Sequence, residues 1–178
     1  MTKSYPEKLK EAYEFVRGRT AIKPAIGIVL GSGLSRLADA IEKPVSIPYA
    51  EIPHFPPTTV AGHPGDLLMG RLAGVEVVVM RGRFHYYEGY SMADVALPIR
   101  LIGRLGARKL IETCAVGALR PGLSPGDLVL VVDHINMMGD NPLIGVEAEP
   151  RFVDMKDAYS PHLRSLMREA TIDAGLSA

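Results

Sequence analysis

Short apolar runs alternate along the chain with segments whose apolar residues recur at helical spacing. The runs that predict strands are 25–30, 67–69, 75–80, 109–113 and 128–132. Helical spacing occurs at 5–16, where Gly18 predicts the end, at 91–105, and after Ser160 and Pro161. Strands rich in Val, Ile and Leu that alternate with helices predict an α/β fold, in which a mixed, mainly parallel sheet is covered by helices on both faces.

Glycines and prolines divide these elements. Gly31 and Gly33 form a turn between the first strand and a predicted helix that reaches Ile41, and Ala73-Gly74 joins two runs into a predicted hairpin. Three prolines make 52–57 a stiff connector without regular structure. Pro98 lies inside the second helix, which we expect it to kink or split, at a cost of about 3 kcal/mol unless packing compensates.

Composition and charge exclude several classes of protein. The 178 residues are 47% hydrophobic and 22% charged, which fits one globular domain with a core. Twenty basic and twenty acidic residues cancel, so we expect no nucleic-acid partner and no anionic membrane partner. The single cysteine, Cys114, excludes an internal disulfide and supplies no metal-ligand spacing. No apolar run approaches a membrane span, so the expected location is the cytoplasm.

The segment Arg81–Tyr90 carries the densest chemistry, because cationic, imidazole, phenolic and carboxylate groups follow directly after an apolar strand. In extended backbone Arg83, His85 and Tyr87 would share one face, since alternate residues point the same way. A guanidinium and an imidazole suit a phosphate anion. An exposed strand end with solvated charges explains the same residues about equally well.

Other loops offer weaker candidates. The turn Gly31-Ser32-Gly33, if a helix follows, presents backbone N–H groups and the Ser32 hydroxyl to an anion; the alternative is an ordinary tight turn. Arg36 excludes a dinucleotide fingerprint, because a small residue is needed there. His63 lies in a glycine-framed turn, where a lone histidine is more often a surface residue than a catalytic one. The segment Asp133–Asn136 follows a predicted strand, and we favour a turn held by its Asp and Asn side chains.

Several segments together resemble the purine nucleoside phosphorylase family, in its trimeric branch. They are Gly31-Ser32-Gly33-Leu34, Ile52-Pro53-His54-Phe55-Pro56, Gly62-His63, Gly82-Arg83-Phe84-His85-Tyr86-Tyr87-Glu88-Gly89-Tyr90, Asp133-His134-Ile135-Asn136 and Asn141-Pro142-Leu143. Their order and spacing are similar to the family from about Tyr5 to Tyr159. The resemblance implies a nucleoside phosphorylase-like fold, a homotrimer, and phosphorolysis of purine (deoxy)ribonucleosides to free base and (deoxy)ribose 1-phosphate.

The resemblance also implies roles for individual residues. His85 and Glu88 match catalytic positions, with the Glu88 carboxylate orienting neighbouring groups. The positions that match phosphate-binding residues are Ser32, His63, Arg83, His85 and Ala115, the last through its backbone N–H. Tyr87 matches a ribose contact, and Phe152 matches an aromatic residue that covers the ribose of the neighbouring subunit. The family implies no cofactor and no metal. Inorganic phosphate is a co-substrate.

Two departures from the family change what we expect. The turn Cys114-Ala115-Val116-Gly117-Ala118 replaces the usual Asn-Ala-Ala-Gly-Gly and adds bulk beside the phosphate. The family also continues beyond Ala178 with residues that hold the purine, so residues 1–178 are expected to form one domain that is truncated at its C-terminus. We therefore expect poor turnover or none. The alternative function is a catalytically inactive remnant that binds phosphate or a sugar phosphate.

Overall fold

The computed structural model describes residues 3–31, 33–57, 65–145 and 152–176, and these form two compact units. The first unit covers residues 1–116 and the second covers residues 117–178. The predicted residues Ser32 and His63 lie outside the described residues. The helices and strands of the first unit are α1 (Tyr5–Arg19), β1 (Ile26–Leu30), β2 (Glu42–Pro48), β3 (Asp66–Leu72), β4 (Val75–Arg81), α2 (Met92–Leu105) and β5 (Lys109–Glu112), with short 3-10 helices at Ser35–Ala40, Tyr49–Glu51 and Tyr86–Glu88.

The five strands form one mixed sheet in the order β2-β3-β4-β1-β5. β1 runs parallel to both β4 and β5, whereas β3 runs antiparallel to β2 and β4. The prediction of a mixed sheet is confirmed. Of the four pairings between described strands, two are parallel and two are antiparallel. The predicted hairpin is confirmed as well, because Leu72 pairs with Val75 across Ala73-Gly74. Both turn residues have positive φ, as a tight hairpin turn requires.

The continuous apolar strands are explained by a core on each face of the sheet. In β4, Val78 and Met80 join the core that also contains residues of α1 and α2. Val77 and Val79 point to the opposite face, where they pack with Ala38 of the first 3-10 helix. Because successive strand residues alternate between faces, a strand covered on both sides is apolar at every position.

One strand was missed and one predicted strand does not form. β2 contains Pro44 and Pro48, which depress strand propensity but are tolerated at a sheet edge, where only one side is paired. The predicted strand 128–132 has no regular structure, and its side chains are 37% to 68% exposed. An apolar segment becomes a strand only when a neighbour hydrogen-bonds to it, and no ladder reaches these residues within the described chain.

The helices depart from their predictions at three places. α1 continues through Gly18 and ends at Arg19, so the predicted end at Gly18 is wrong. α2 runs through Pro98 without dividing, because the surrounding Leu97 and Leu101 are fully buried against the core. The helix predicted to reach Ile41 is only the six-residue 3-10 helix Ser35–Ala40, so it presents no long helix dipole to an anion.

The second unit contains α3 (Pro161–Asp173), which begins as predicted. The Ser160 hydroxyl accepts a hydrogen bond from the Leu163 amide, and Pro161 occupies the first turn. The predicted hydrogen bonds from backbone amides to the Asp133 and Asn136 side chains form, with the His134 and Met138 amides as donors, but residues 133–136 make no turn. None of the described helices is both long and apolar enough to cross a membrane.

Candidate functional site

The carboxyl ends of three parallel strands bring the main candidate residues together. Leu30 at the end of β1 pairs with Arg81 at the end of β4, and Val29 pairs with Glu112 at the end of β5. The residues that follow these strands therefore leave the sheet at one edge. This is the edge at which open α/β sheets place their ligands.

Gly31 and Thr113 are in close contact at this edge. The Gly31 amide donates to the Thr113 hydroxyl oxygen at 2.8 Å, and the Thr113 amide donates to the Val29 carbonyl at 3.0 Å. A Cβ atom at position 31 would lie 2.7 Å from the Thr113 carbonyl oxygen and 3.1 Å from Nη2 of Arg83. Only glycine permits this approach between the two strand ends.

Arg83 lies across the same contact. Its Nη1 donates to the Thr113 carbonyl oxygen, and its Nε lies 3.4 Å from Nε2 of His85. The side chain is half-buried, so its charge is only partly screened by water. The arrangement places a fixed guanidinium fork beside the backbone of the Gly31 turn, which suits recognition of a phosphate.

Glu88 fixes the orientation of His85. One carboxylate oxygen of Glu88 accepts from the His85 backbone amide at 2.9 Å and lies 2.7 Å from Nδ1 of the ring. The Glu88 side chain is 6% exposed, so its carboxyl group is largely desolvated. If Glu88 is ionised, Nδ1 of His85 carries a proton and, in the neutral ring, Nε2 presents its lone pair toward Arg83.

Tyr87 lies on the solvent side of this group. Its ring stacks on the imidazole of His85 with centroids 4.7 Å apart and planes inclined by 18°. The residue is 78% exposed, so the ring covers His85 while its hydroxyl remains accessible to solvent. An aromatic surface in this position can contact a sugar placed above the imidazole.

An ion pair between a buried carboxylate and a partly exposed arginine fixes the end of β4. Nε and Nη2 of Arg81 both donate to the Asp66 carboxylate, which also accepts from the Ser46 hydroxyl at 2.6 Å. The hydrogen bond to Asp66 raises the pKa of Arg81 above its ordinary value. Three donors on one buried carboxylate hold β2, β3 and β4 together just before Arg83.

The structure brings four of the predicted site residues together: Arg83, His85, Tyr87 and Glu88. They meet differently from the extended strand that we predicted, because the chain turns into the 3-10 helix Tyr86–Glu88 immediately after His85. Ala115 is exposed in the first unit, and Phe152 is 94% exposed in the second. Their predicted roles, like those of Ser32 and His63, stay predictions.

Sequence reasoning missed Thr113 and Asp66. Thr113 could have been found as the polar residue at the carboxyl end of the predicted strand 109–113, at the edge where ligands bind. Asp66 precedes an apolar run, and its burial depends on pairing with Arg81 across the sheet. Among the described residues, no group of three or more His, Cys, Asp or Glu side chains is placed to hold a metal ion.

Residues 25–178 match the family model described as "Phosphorylase superfamily". The chain belongs to the phosphorylase superfamily. Within it, the chain is similar to purine nucleoside phosphorylase 1 of Geobacillus stearothermophilus, with 48% identity over 94% of this chain and 62% of the relative. The resemblance to purine nucleoside phosphorylases drawn from the sequence is confirmed.

Solved structures give the same result for the fold. A purine nucleoside phosphorylase of Schistosoma mansoni in complex with adenosine matches with a TM-score of 0.88 and 42% identity, over 95% of this chain and 61% of that one. Isoform 2 from the same organism, in complex with cytosine and ribose-1-phosphate, matches with a TM-score of 0.83 and 39% identity, over 95% of this chain and 61% of that one. The chain thus spans less than two thirds of the length of these proteins.

Proposed function

We propose that the chain binds inorganic phosphate beside Arg83 and His85 and functions as a purine nucleoside phosphorylase. The reaction converts a purine (deoxy)ribonucleoside and phosphate into the free base and (deoxy)ribose 1-phosphate. A phosphate oxygen forms a bond to the anomeric carbon, and the bond from that carbon to the purine nitrogen breaks. The departing base takes the electron pair and then a proton.

The observation that carries this proposal is the fixed group of Arg83, His85 and Glu88 beside the Gly31 turn. The guanidinium is held by the Thr113 carbonyl and the imidazole by Glu88, so neither must be ordered when the anion binds. A preorganised cradle supplies both orientation and charge stabilisation to an anion that attacks a developing sugar cation. The relatives that hold adenosine or ribose-1-phosphate support the same substrate class.

The roles of the remaining residues belong to the same proposal. Ser32 and the Ala115 backbone amide would complete the phosphate site, and His63 would lie at its entrance. Tyr87 would contact the ribose, and Phe152 would cover the ribose of a neighbouring subunit in a homotrimer. The protein would act in purine salvage in the cytoplasm, with phosphate as co-substrate and no cofactor.

Phosphate calorimetry tests the site directly. Arg83→Ala should weaken phosphate binding by more than tenfold, because a charge-assisted contact is lost. Arg71→Ala is the matched control, since Arg71 is an exposed arginine at the far end of the β3–β4 hairpin. Equal binding by the Arg83→Ala chain and the parent chain would show that the phosphate site lies elsewhere.

Catalysis is tested by phosphate-dependent release of hypoxanthine from inosine. Release that disappears in Arg83→Ala would support phosphorolysis at this site. Phosphate binding without release would instead support the alternative of a phosphate-binding chain that does not turn over nucleosides. Light scattering across a range of concentrations tests the trimer, and a constant monomer mass would contradict it.

A further inference from the structure

Tyr49 touches both neighbours of Arg83 in the chain. Its hydroxyl donates a 2.9 Å hydrogen bond to the carbonyl oxygen of Gly82. Its ring packs against Phe84 with centroids 5.3 Å apart and planes inclined by 49°. Tyr49 is 1% exposed, and both contacts lie in the core. One buried side chain therefore holds the backbone on either side of the arginine.

The backbone around Arg83 needs this support because it has left the sheet. β4 ends at Arg81, and residues 82–85 belong to no strand or helix. Gly82 has φ of 100°, which glycine adopts at little cost. Glycine is flexible, however, so contacts from other residues must hold it in that conformation. Without the Tyr49 hydroxyl, the Gly82 carbonyl would lose its hydrogen-bond donor in a buried position.

Tyr49 is itself rigidly placed. Its amide donates to the Gly65 carbonyl at 2.8 Å, and the Gly65 amide donates to the Arg81 carbonyl at 3.1 Å. Phe55 packs against the rings of both Tyr49 and Phe84, with centroids 5.5 Å and 6.0 Å away. The side chain that contacts Gly82 is thus tied to the backbone of the strand that leads to the site.

We propose that Tyr49 is a positioning residue that acts through Gly82 and Phe84 to hold Arg83 in the geometry that binds phosphate. This inference rests on the proposed function, because it assigns Tyr49 to the same phosphate site. Tyr49 does not touch the anion. Its effect is to keep the guanidinium within the narrow range of positions that a preorganised site requires.

The state of the Tyr49 hydroxyl is consistent with a permanent donor. Burial raises the pKa of Tyr49 far above its ordinary value of 10.0, and the nearby Asp66 carboxylate raises it further. The phenol therefore remains protonated at neutral pH. The Gly82 carbonyl keeps its donor without a pH-dependent change.

The test is Tyr49→Phe, which keeps the ring and its packing and removes only the hydroxyl. Two quantities are measured: the phosphate dissociation constant by calorimetry, and the order of the Arg83 Nε–H group by 15N relaxation without ligand. Tyr13→Phe removes the same atom from a half-buried tyrosine of α1. Ile41→Val lowers stability from the opposite face of the sheet and controls for destabilisation alone.

We expect Tyr49→Phe to raise the phosphate dissociation constant about five- to tenfold and to lower the order of Arg83. The hydrogen bond from Tyr49 to the Gly82 carbonyl is lost, so its free energy no longer favours the binding geometry. Neither control should change either quantity. Unchanged order of Arg83 overturns the proposal, as does lower order with unchanged phosphate affinity. If the parent chain binds no phosphate, the proposed function fails, and the order of Arg83 alone then decides whether Tyr49 positions it.

Discussion

The substitution Gly31→Ala tests the close approach between the ends of β1 and β5. The new methyl group would lie 2.7 Å from the Thr113 carbonyl oxygen, a distance that real Cβ atoms essentially never show. The obstacle is backbone, so a side-chain rotation cannot relieve it. The strand ends must move apart, and they carry with them the carbonyl that accepts from Arg83.

The expected loss of stability in Gly31→Ala follows from the cost of overpacking. Inserting a methyl group into a closely packed site costs about 1–3 kcal/mol in the free energy of unfolding. With a urea dependence of about 2 kcal/mol per molar, the unfolding midpoint should fall by about 0.5–1.5 M. Phosphate affinity should fall as well, because displacement of Thr113 releases Nη1 of Arg83.

The assay is urea unfolding followed by far-UV circular dichroism, since the chain contains no tryptophan for fluorescence. Gly18→Ala is the matched control, because Gly18 lies on the exposed side of α1 and its new methyl group meets nothing within 4 Å. That control should gain about 0.5–1 kcal/mol from the higher helix propensity of alanine. A Gly31→Ala chain that equals the parent in stability and phosphate affinity would refute the reasoning.

Three further predictions concern ionisable side chains. Asp66→Asn should lower the free energy of unfolding by about 2 kcal/mol, less than for a fully buried pair because the Arg81 side chain is 27% exposed. In neutral His85, 15N shifts should identify Nδ1 as the protonated nitrogen, because it faces Glu88 at 2.7 Å. Hydrogen bonds from Lys3 and then His54 lower the pKa of Glu11 below 4.5. The stability that Glu11 contributes is therefore present above pH 4.5 and lost as the pH falls through the lower folded value, so Glu11→Gln should flatten the acid loss of stability.

Each of these three predictions has a clear contrary result. Glu14→Gln removes one partner of an exposed pair with Lys10 and should change the free energy of unfolding by less than about 0.5 kcal/mol. A similarly small effect of Asp66→Asn would mean that the Asp66–Arg81 pair does not stabilise the strand ends. Protonation at Nε2 of neutral His85 would contradict the role of Glu88. Equal acid slopes for the parent and Glu11→Gln chains would show that Glu11 is not coupled to folding.

The sheet was predictable where periodicity and burial agree. β1 and β4 are apolar because both of their faces are covered, and that signal is visible in a single sequence. β2 was missed because its burial alternates weakly and two prolines interrupt it. The segment 128–132 has the strongest apolar signal in the second half of the chain, yet the signal reports burial preference and does not specify a hydrogen-bonding neighbour.

The site was predictable where its residues are close in sequence. Arg83, His85 and Glu88 lie within six residues, so the segment itself reveals an anion-binding group. The contact of Gly31 with Thr113 joins residues that are 82 positions apart, and it depends on the register of two parallel strands. Register of that kind is set by the whole sheet, so residue types and local spacing do not reveal it.

The long range of the Gly31–Thr113 contact has a consequence for the order of folding. The β3–β4 hairpin closes across a two-residue turn and can form early, since short loops lose little entropy. β1 must then find β4 about 50 residues away, and β5 must find β1 about 83 residues away, before the strand ends meet. We therefore expect Arg83 to acquire its Thr113 partner in the last stage of folding. Phosphate binding during refolding would accordingly report completion of the native sheet, later than the gain of secondary structure.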